Sequence, residues 1–187
     1  MESTFFKGFY KLIATALSRT TRLISLGILF FNIPYSDVLD GLTFPSIMTL
    51  RISMTSPESV ISFLTRHPSI QSLHLLTPFE KFHADYFTSL RLPKLVSFSG
   101  PAAIAHRLLP NTPAALVHIV WDVSNNDYES IVSAVGQNPI DVLDNTTLGW
   151  SLELAQSVSR HLPGLVCMAF RNGFPVERPL FTTQDVS

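Results

Sequence analysis

The chain has 187 residues, and 46% of them are hydrophobic, which is enough for one domain with a substantial core. Its 13 Lys and Arg residues oppose 14 Asp and Glu residues, and this near-neutral balance gives no global electrostatic reason to bind nucleic acid. The single cysteine, Cys167, excludes an internal disulfide framework and a cysteine-rich zinc site, so we expect an intracellular protein, cytoplasmic or nuclear.

The first part of the chain offers two interpretations. Its longest apolar run, residues 26–33, is shorter than the about 20 residues that a membrane helix needs, so we expect no membrane partner. Basic residues outnumber acidic ones over residues 1–36, a balance that is also typical of a transit peptide. The same segment fits the repeat described below, and we prefer that interpretation.

Helical patterns alternate with short apolar strands along the chain. Apolar residues at helical spacing, with capping residues and prolines at the ends, predict helical segments over residues 5–17, 37–39, 56–67, 77–92, 101–109, 124–135 and 151–161. From Arg171 onward the sequence becomes polar and irregular. We therefore expect one domain over residues 1–170 and an irregular C-terminal tail over residues 171–187.

A strand with apolar residues at positions 1, 4 and 6 recurs between the helices. Its first positions are Leu23, Ile47, Ile70, Leu95, Leu116, Ile140 and Leu165. The intervals between them are 24, 23, 25, 21, 24 and 25 residues, inside the range of about 20 to 29 residues of leucine-rich repeats. The spacing predicts an α/β fold, a right-handed horseshoe-shaped leucine-rich-repeat solenoid of about seven irregular strand-helix repeats.

An ordinary doubly wound α/β domain is the alternative, because it also alternates helices and strands. The short strands with 1, 4, 6 spacing do not resemble the continuous Val and Ile runs of a buried parallel sheet. No glycine-rich phosphate loop follows any predicted strand. Both observations favour the solenoid.

Several phrases resemble the repeat region of fungal F-box and leucine-rich-repeat proteins of the ribonuclease-inhibitor-like superfamily. They are FPSIMTLRIS, FLTRHPSIQSLHL, LPKLVSFSGPAAIAHRLLPNTPAALVHIVW and SRHLPGLVCMAF, and the likeness covers about residues 5–170. The resemblance implies a protein-binding function, because the repeats of this family recruit substrates to a ubiquitin ligase. Members commonly also carry an N-terminal F-box that docks to a Skp1-type adaptor.

In this sequence the repeats begin close to Met1, and no leucine- and proline-rich F-box start precedes them. A Skp1-type adaptor is therefore implied only if an F-box lies upstream. The expected function is a non-catalytic protein-protein interaction module with an unknown protein partner. The alternatives are a substrate receptor acting through an absent F-box, an enzyme with an unrecognised groove, and a truncated repeat protein without independent activity.

Side chains between the apolar positions of each strand are expected to face the concave side of the solenoid, because side chains alternate along a strand. Small hydroxyls predominate in the first repeats, and ionisable groups appear later. The predicted partner-binding residues are Arg51, Ser72, His74, His118, Asp122 and Asp144. A mixed surface of this kind suits hydrogen-bonded, partly charged recognition of a protein segment.

No catalytic, cofactor or metal site is predicted. Cys167, His118 and an aspartate have the residue types of a thiol nucleophile and its base, but the cysteine and the histidine are predicted two strands apart, on the order of 10 Å. His74, His83 and Asp85 match no zinc spacing.

The remaining polar motifs have structural interpretations. His67 and His161 each follow an arginine at a predicted helix end, where positive charge is favourable, and Glu129 lies in a first helical turn. Trp121 is predicted to be core. Asn145-Thr146-Thr147 is a glycosylation sequon that matters only in a secreted protein.

Overall fold

The chain forms one parallel β-sheet with a layer of helices against one of its faces. A computed structural model describes residues 4–29, 36–53, 57–76, 84–122 and 127–172. Its strands are β1 Ser25–Ile28, β2 Thr49–Ser53, β3 Ser72–Leu76, β4 Ser97–Pro101, β5 Leu116–Val120, β6 Val142–Thr147 and β7 Cys167–Asn172. Its α-helices are α1 Thr4–Ser18, α2 Ser36–Leu39, α3 Pro57–Arg66, α4 Ala102–Leu108, α5 Tyr128–Val135 and α6 Leu152–His161. Two 3-10 helices span Ala84–Phe87 and Leu109–Asn111.

The seven strands lie side by side in the order of the chain, and every neighbouring pair is parallel. The helices follow the same order, since α1 contacts α2, α2 contacts α3, α4 contacts α5 and α5 contacts α6. The 3-10 helix Ala84–Phe87 bridges α3 and α4. The prediction of an α/β fold is confirmed.

The core lies between the sheet and the helices. Along β3 the side chains of Leu73 and Leu75 are buried, whereas Ser72, His74 and Leu76 are partly exposed. The buried strand residues form one cluster with the buried residues of the helices. Removing a leucine side chain from water contributes about 1.5–3 kcal/mol, so the alternation fixes which face of each strand meets the helices.

One hydrogen-bonding pattern repeats at the start of each strand after β1. The carbonyl oxygen of Ile24 accepts from the N–H groups of both Met48 and Thr49, at 2.8 and 3.1 Å. The equivalent double acceptors in the following units are the carbonyls of Met48, Gln71, Val96, Ala115 and Asp141. The backbone of one unit thereby sets the register of the next, and the irregular intervals leave this contact intact.

The register corrects one predicted strand. Leu116 was expected in the core as the first apolar position of its repeat, but its side chain is 43% exposed and it pairs with Ser97 on the open face. Ala114 is fully buried instead, followed by buried Val117 and Ile119. The prediction failed because alanine gives a weak apolar signal beside the bulkier Leu116.

Side-chain caps account for the starts of α5 and α6. The Asp127 side chain accepts from the N–H of Ser130 and caps α5, and the Ser151 side chain accepts from the N–H of Leu154 and caps α6. The helical face predicted over 77–92 is a single 3-10 turn, Ala84–Phe87, within the described residues. Residues 77–83 of that prediction lie outside them.

At the C-terminal side, β7 runs to Asn172, so Arg171 and Asn172 belong to the sheet although the predicted tail began at residue 171. The rest of that tail lies outside the described residues. Along β7 the side chain of Met168, which pairs with Leu143, is 47% exposed. None of the helices in the described part of the chain is both long and apolar enough to span a bilayer.

Candidate functional site

Five strands present one side chain each, in register, on the face of the sheet opposite the helices. These side chains are Arg51, His74, Ser99, His118 and Asp144, and we call them the polar row. The residues before and after each of them in its strand are buried, except that Gly100 beside Ser99 has no side chain to bury. Because side chains alternate, the polar row and the core are set by the same strand geometry.

His118 is at the centre of a hydrogen-bonded group. Its Nδ1 lies 2.9 Å from the Ser99 hydroxyl, and its Nε2 lies 2.9 Å from the Thr146 hydroxyl. Burial lowers the pKa of His118, the Asp144 charge opposes that shift, and Arg171 adds to it. A neutral ring with one donor and one acceptor nitrogen suits two hydroxyl partners, since each hydroxyl can donate or accept.

His74 and Arg51 are register partners on β3 and β2. His74 Nε2 lies 3.1 Å from the hydroxyl of Ser72. Burial lowers the pKa of His74, and the positive charge of Arg51 lowers it further. The Arg51 side chain is exposed and makes no hydrogen bond or ion pair with any residue that the structure describes.

Asp144 is held by an arginine that follows it in the sheet. Arg171 Nε lies 3.0 and 2.9 Å from the two Asp144 carboxylate oxygens, and a terminal guanidinium nitrogen lies 2.8 Å from one of them. Hydrogen bonding to Asp144 raises the pKa of Arg171. This charged pair occupies the end of the polar row that lies away from Arg51.

A shallow cavity of about 220 Å³ lies along the middle of this face. Its walls include His74, Ser99, His118 and Asp144, together with the exposed Leu116. The cavity therefore combines hydrogen-bonding groups with an apolar side chain, a mixture that peptide-binding surfaces use.

The predicted site residues are brought together only in part. Arg51, His74, His118 and Asp144 share the polar row, and Ser72 lies beside His74. Asp122 lies two residues after Val120, the last residue of β5, and therefore beyond the row. His118 was expected in the row of Ser72, but the register of β5 moves it two residues along, to a position beside Asp144.

Three contributors were missing from the predicted set. They are Ser99 and Thr146, whose hydroxyls contact His118, and Arg171, which binds Asp144. Thr146 follows Asp144 by two residues in β6, so strand alternation alone places both on one face. With β5 in its observed register, His118 pairs with Asp144 and its ring reaches the Thr146 hydroxyl.

The Ser99 and His118 pair is the arrangement nearest to a catalytic one. A hydroxyl within hydrogen-bonding distance of an imidazole can act as a nucleophile when a carboxylate orients the second ring nitrogen. Here the second ring nitrogen is hydrogen-bonded to the Thr146 hydroxyl, and the carboxylate of Asp144 is bound to Arg171. Cys167 lies in the row of Leu116 and Val142, two strands from β5, so it is not beside His118.

The two histidines at helix ends differ, and the charged interpretation of His67 is wrong. His67 is 2% exposed, and its Nε2 accepts from the N–H of Phe44 at 2.8 Å. Its Nδ1 therefore carries the proton and donates to the carbonyl of Phe63 at 2.6 Å. Burial lowers the pKa of His67, so the ring is a neutral core residue that joins two successive units.

His161 instead lies at the end of α6 in a charged group. Its Nε2 is 2.6 Å from a Glu129 oxygen, and Arg160 reaches the same oxygen at 2.7 Å. These hydrogen bonds, that of His161 first, lower the pKa of Glu129 to about 2. Glu129 lies in the first turn of α5 as predicted and also ties α5 to α6.

Asn145 and Trp121 form a buried polar contact under the sheet. The indole Nε1 of Trp121 donates to the Asn145 side-chain oxygen at 2.9 Å, and both residues are buried, which confirms Trp121 as core. The Asn145 amide is therefore inaccessible to glycosylation in the folded protein.

Across the described ranges, no three or more His, Cys, Asp and Glu side chains are grouped so as to hold a metal ion. His83, from the rejected zinc cluster, lies outside them.

Comparison with known proteins adds no relative: neither a family model nor a curated protein matches this sequence.

Proposed function

We propose that this chain is a non-catalytic protein-interaction module, a leucine-rich-repeat solenoid whose exposed strand face binds a segment of a partner protein. The observation that carries the proposal is the polar row, in which neighbouring strands present hydrogen-bonding and charged side chains in register. Side chains spaced by about 4.8 Å from strand to strand form a continuous surface across which an extended polypeptide can lie.

Two further observations support the solenoid, for which we also propose the right-handed horseshoe form. Units that contact only their sequence neighbours are the mark of repeat architecture, and strands and helices here follow the chain in order. The carbonyl that accepts two hydrogen bonds recurs before each of the first six strands, so the same backbone contact joins every pair of neighbouring units. The proposal includes membership of the F-box and leucine-rich-repeat proteins that the sequence resembles, with a Skp1-type adaptor only where an F-box is present.

A binding function accounts for the polar row better than catalysis does. His118 is held between two hydroxyls, and the nearby carboxylate of Asp144 is bound to Arg171. Ser99 is paired with strands on both sides in the sheet, which engages backbone N–H groups that an oxyanion hole would otherwise use. The groups are suited to making hydrogen bonds with a ligand that they do not transform.

The test is a selection of random dodecapeptides displayed on phage against the purified protein. We expect the enriched pool to lose at least about tenfold in affinity, or ~1.4 kcal/mol, on the variant Arg51→Glu with His74→Ala. The same variant should unfold with the wild-type midpoint, because both side chains lie outside the core. A pool that binds both proteins equally would show that the polar row is not the binding surface.

One observation favours the alternative of a repeat protein without independent activity. Val166 and Met168 are 81% and 47% exposed, so the described part of the last unit leaves apolar surface open. Limited proteolysis distinguishes the alternatives: a binding module should resist a protease at low concentration, whereas a chain without independent stability should be cleaved throughout.

A further inference from the structure

Charge is distributed unevenly along the polar row, and this distribution indicates which kind of partner segment the row can bind. Asp144 is the only carboxylate within the seven strands, and Arg171 already binds it. Arg51 lies on β2, four strands from Asp144 on β6. At about 4.8 Å per strand the separation is about 19 Å, more than twice the screening length of about 8 Å at physiological ionic strength.

Arg51 therefore carries a charge that no described strand residue compensates. Its neighbour on β3 is His74, which is neutral at pH 7 because burial lowers its pKa. Its neighbour on β1 is Gly27, and a Cβ added to Gly27 would have no atom within 4 Å. Among the described residues, nothing fills the space above Gly27 next to the exposed Arg51, so a ligand group can approach the guanidinium from the β1 side.

Hydroxyl groups surround this end of the face. Thr49, Ser72 and Ser97 are register partners in the row that precedes the polar row, and all three are partly exposed. The hydroxyls of Thr49 and Ser97 can donate a hydrogen bond to an oxygen, and that of Ser72 can do so when it accepts from His74. A guanidinium with hydroxyl donors beside it is a suitable receptor for a carboxylate, because arginine presents two parallel N–H groups to the two oxygens.

We propose that the polar row binds an extended acidic segment of a partner protein, with a Glu or Asp carboxylate against Arg51 and hydrogen-bonding side chains toward His118. This inference rests on the proposed function, since it names the chemical class of the segment bound at the same face. The Asp144 and Arg171 pair sets the opposite end, because its neutralised charge offers no attraction to a second acidic group.

The experiment uses the peptide selection and compares amino-acid frequencies at each peptide position before and after enrichment. We expect Glu or Asp to be enriched at one position on the wild-type protein and on the control Arg107→Gln, which removes a charge from α4 on the other side of the sheet. On Arg51→Gln the acidic enrichment should disappear. A selected peptide with that acid changed to its amide should bind wild type about tenfold more weakly and bind Arg51→Gln no differently.

The outcomes separate the two proposals. If the pool depends on the polar row but shows no acidic position, or keeps it on Arg51→Gln, the acidic-partner inference is wrong and the proposed function stands. If no peptide depends on the row, both are wrong. Weakening of the acidic peptide between 50 and 300 mM NaCl on wild type, but not on Arg51→Gln, would add independent support.

Discussion

The two faces of the sheet are built from alternate residues of the same strands, and they are used differently. In β4, Phe98 is fully buried against the helices, and its neighbour Ser99 faces solvent and bonds to His118. On the buried face, apolar contacts tie each unit to the next. The opposite face carries polar groups that the fold does not require. The comparison teaches that residues one position apart can be changed with different effects on stability, so that the proposed binding face can be altered without disturbing the core.

The largest expected effect is on the buried face. Phe98→Ala should destabilise the protein by about 3–5 kcal/mol, because it removes a fully buried ring and leaves a cavity. Urea unfolding would measure the loss. Its matched control is Ser97→Ala, one residue earlier in β4, which should change the unfolding free energy by at most about 0.5 kcal/mol. Similar losses in the two variants would remove the distinction between the faces.

A second prediction concerns pH and the buried His67. Burial lowers the pKa of His67, His74 and His118 in the folded protein, so the unfolded chain binds protons more readily than the folded one as the pH falls below about 6.5. Stability contributed by the neutral rings is present above that pH and decreases as the pH falls toward the folded-state values. Urea unfolding at pH 7.5 and pH 5.5 should therefore show lower stability in acid.

His67→Gln supplies the control, because glutamine offers a donor and an acceptor but does not titrate. The variant should be less stable than wild type at pH 7.5 by about 1–3 kcal/mol, since it cannot match both hydrogen bonds and the ring stacking on Phe63. It should also lose less stability on acidification. An unchanged pH dependence would mean that His67 is not the buried neutral ring described above.

Much of this fold follows from the sequence, because its signals are local and repeated. The apolar residues Leu50, Leu73 and Leu143 mark their strands, and Ser151 marks the start of α6. The register of β5 did not follow, because small Ala114 occupies the buried position that a larger apolar residue marks elsewhere. The 1, 4, 6 pattern relies on large apolar side chains, so it cannot detect a buried position such as that of Ala114, which the hydrogen bonds between the strands fix.

The site was less predictable than the fold for a physical reason. Strand alternation identifies which side chains face outward, but the contact between His118 and Thr146 depends on register between strands. The roles of His67 and His161 differ although each follows an arginine near a helix end. Only the packing around them decides between a buried neutral ring and a partly exposed ring that is hydrogen-bonded to Glu129.

A third prediction tests the corrected register. Leu116→Asp should change the unfolding free energy by less than about 1 kcal/mol, because the side chain faces outward beside the cavity. Val117→Asp, one residue further along β5, should prevent folding or cost several kcal/mol, since it puts a charge into the core. Circular dichroism and urea unfolding of the pair would measure this, and the reverse ranking would restore the original assignment of Leu116 to the core.

The smallest effect is expected at the end of the polar row. Asp144→Asn should lower stability by no more than about 1 kcal/mol, because its partner Arg171 is largely exposed and can return to water. The difference from wild type should shrink in 1 M NaCl, where charges are screened. A loss of several kcal/mol in thermal or urea unfolding would show that the ion pair is a structural element of the sheet.

Photo-cross-linking tests the central claim, that the partner binds the exposed strand face, most directly. A photoreactive benzoylphenylalanine would replace the exposed Leu116, and in a matched protein it would replace Ser133 on the exposed side of α5. The probe is the tightest peptide from a phage selection against the wild-type protein alone. Cross-linking from position 116 and none from position 133 is the predicted result. Cross-linking from position 133 alone would contradict the account.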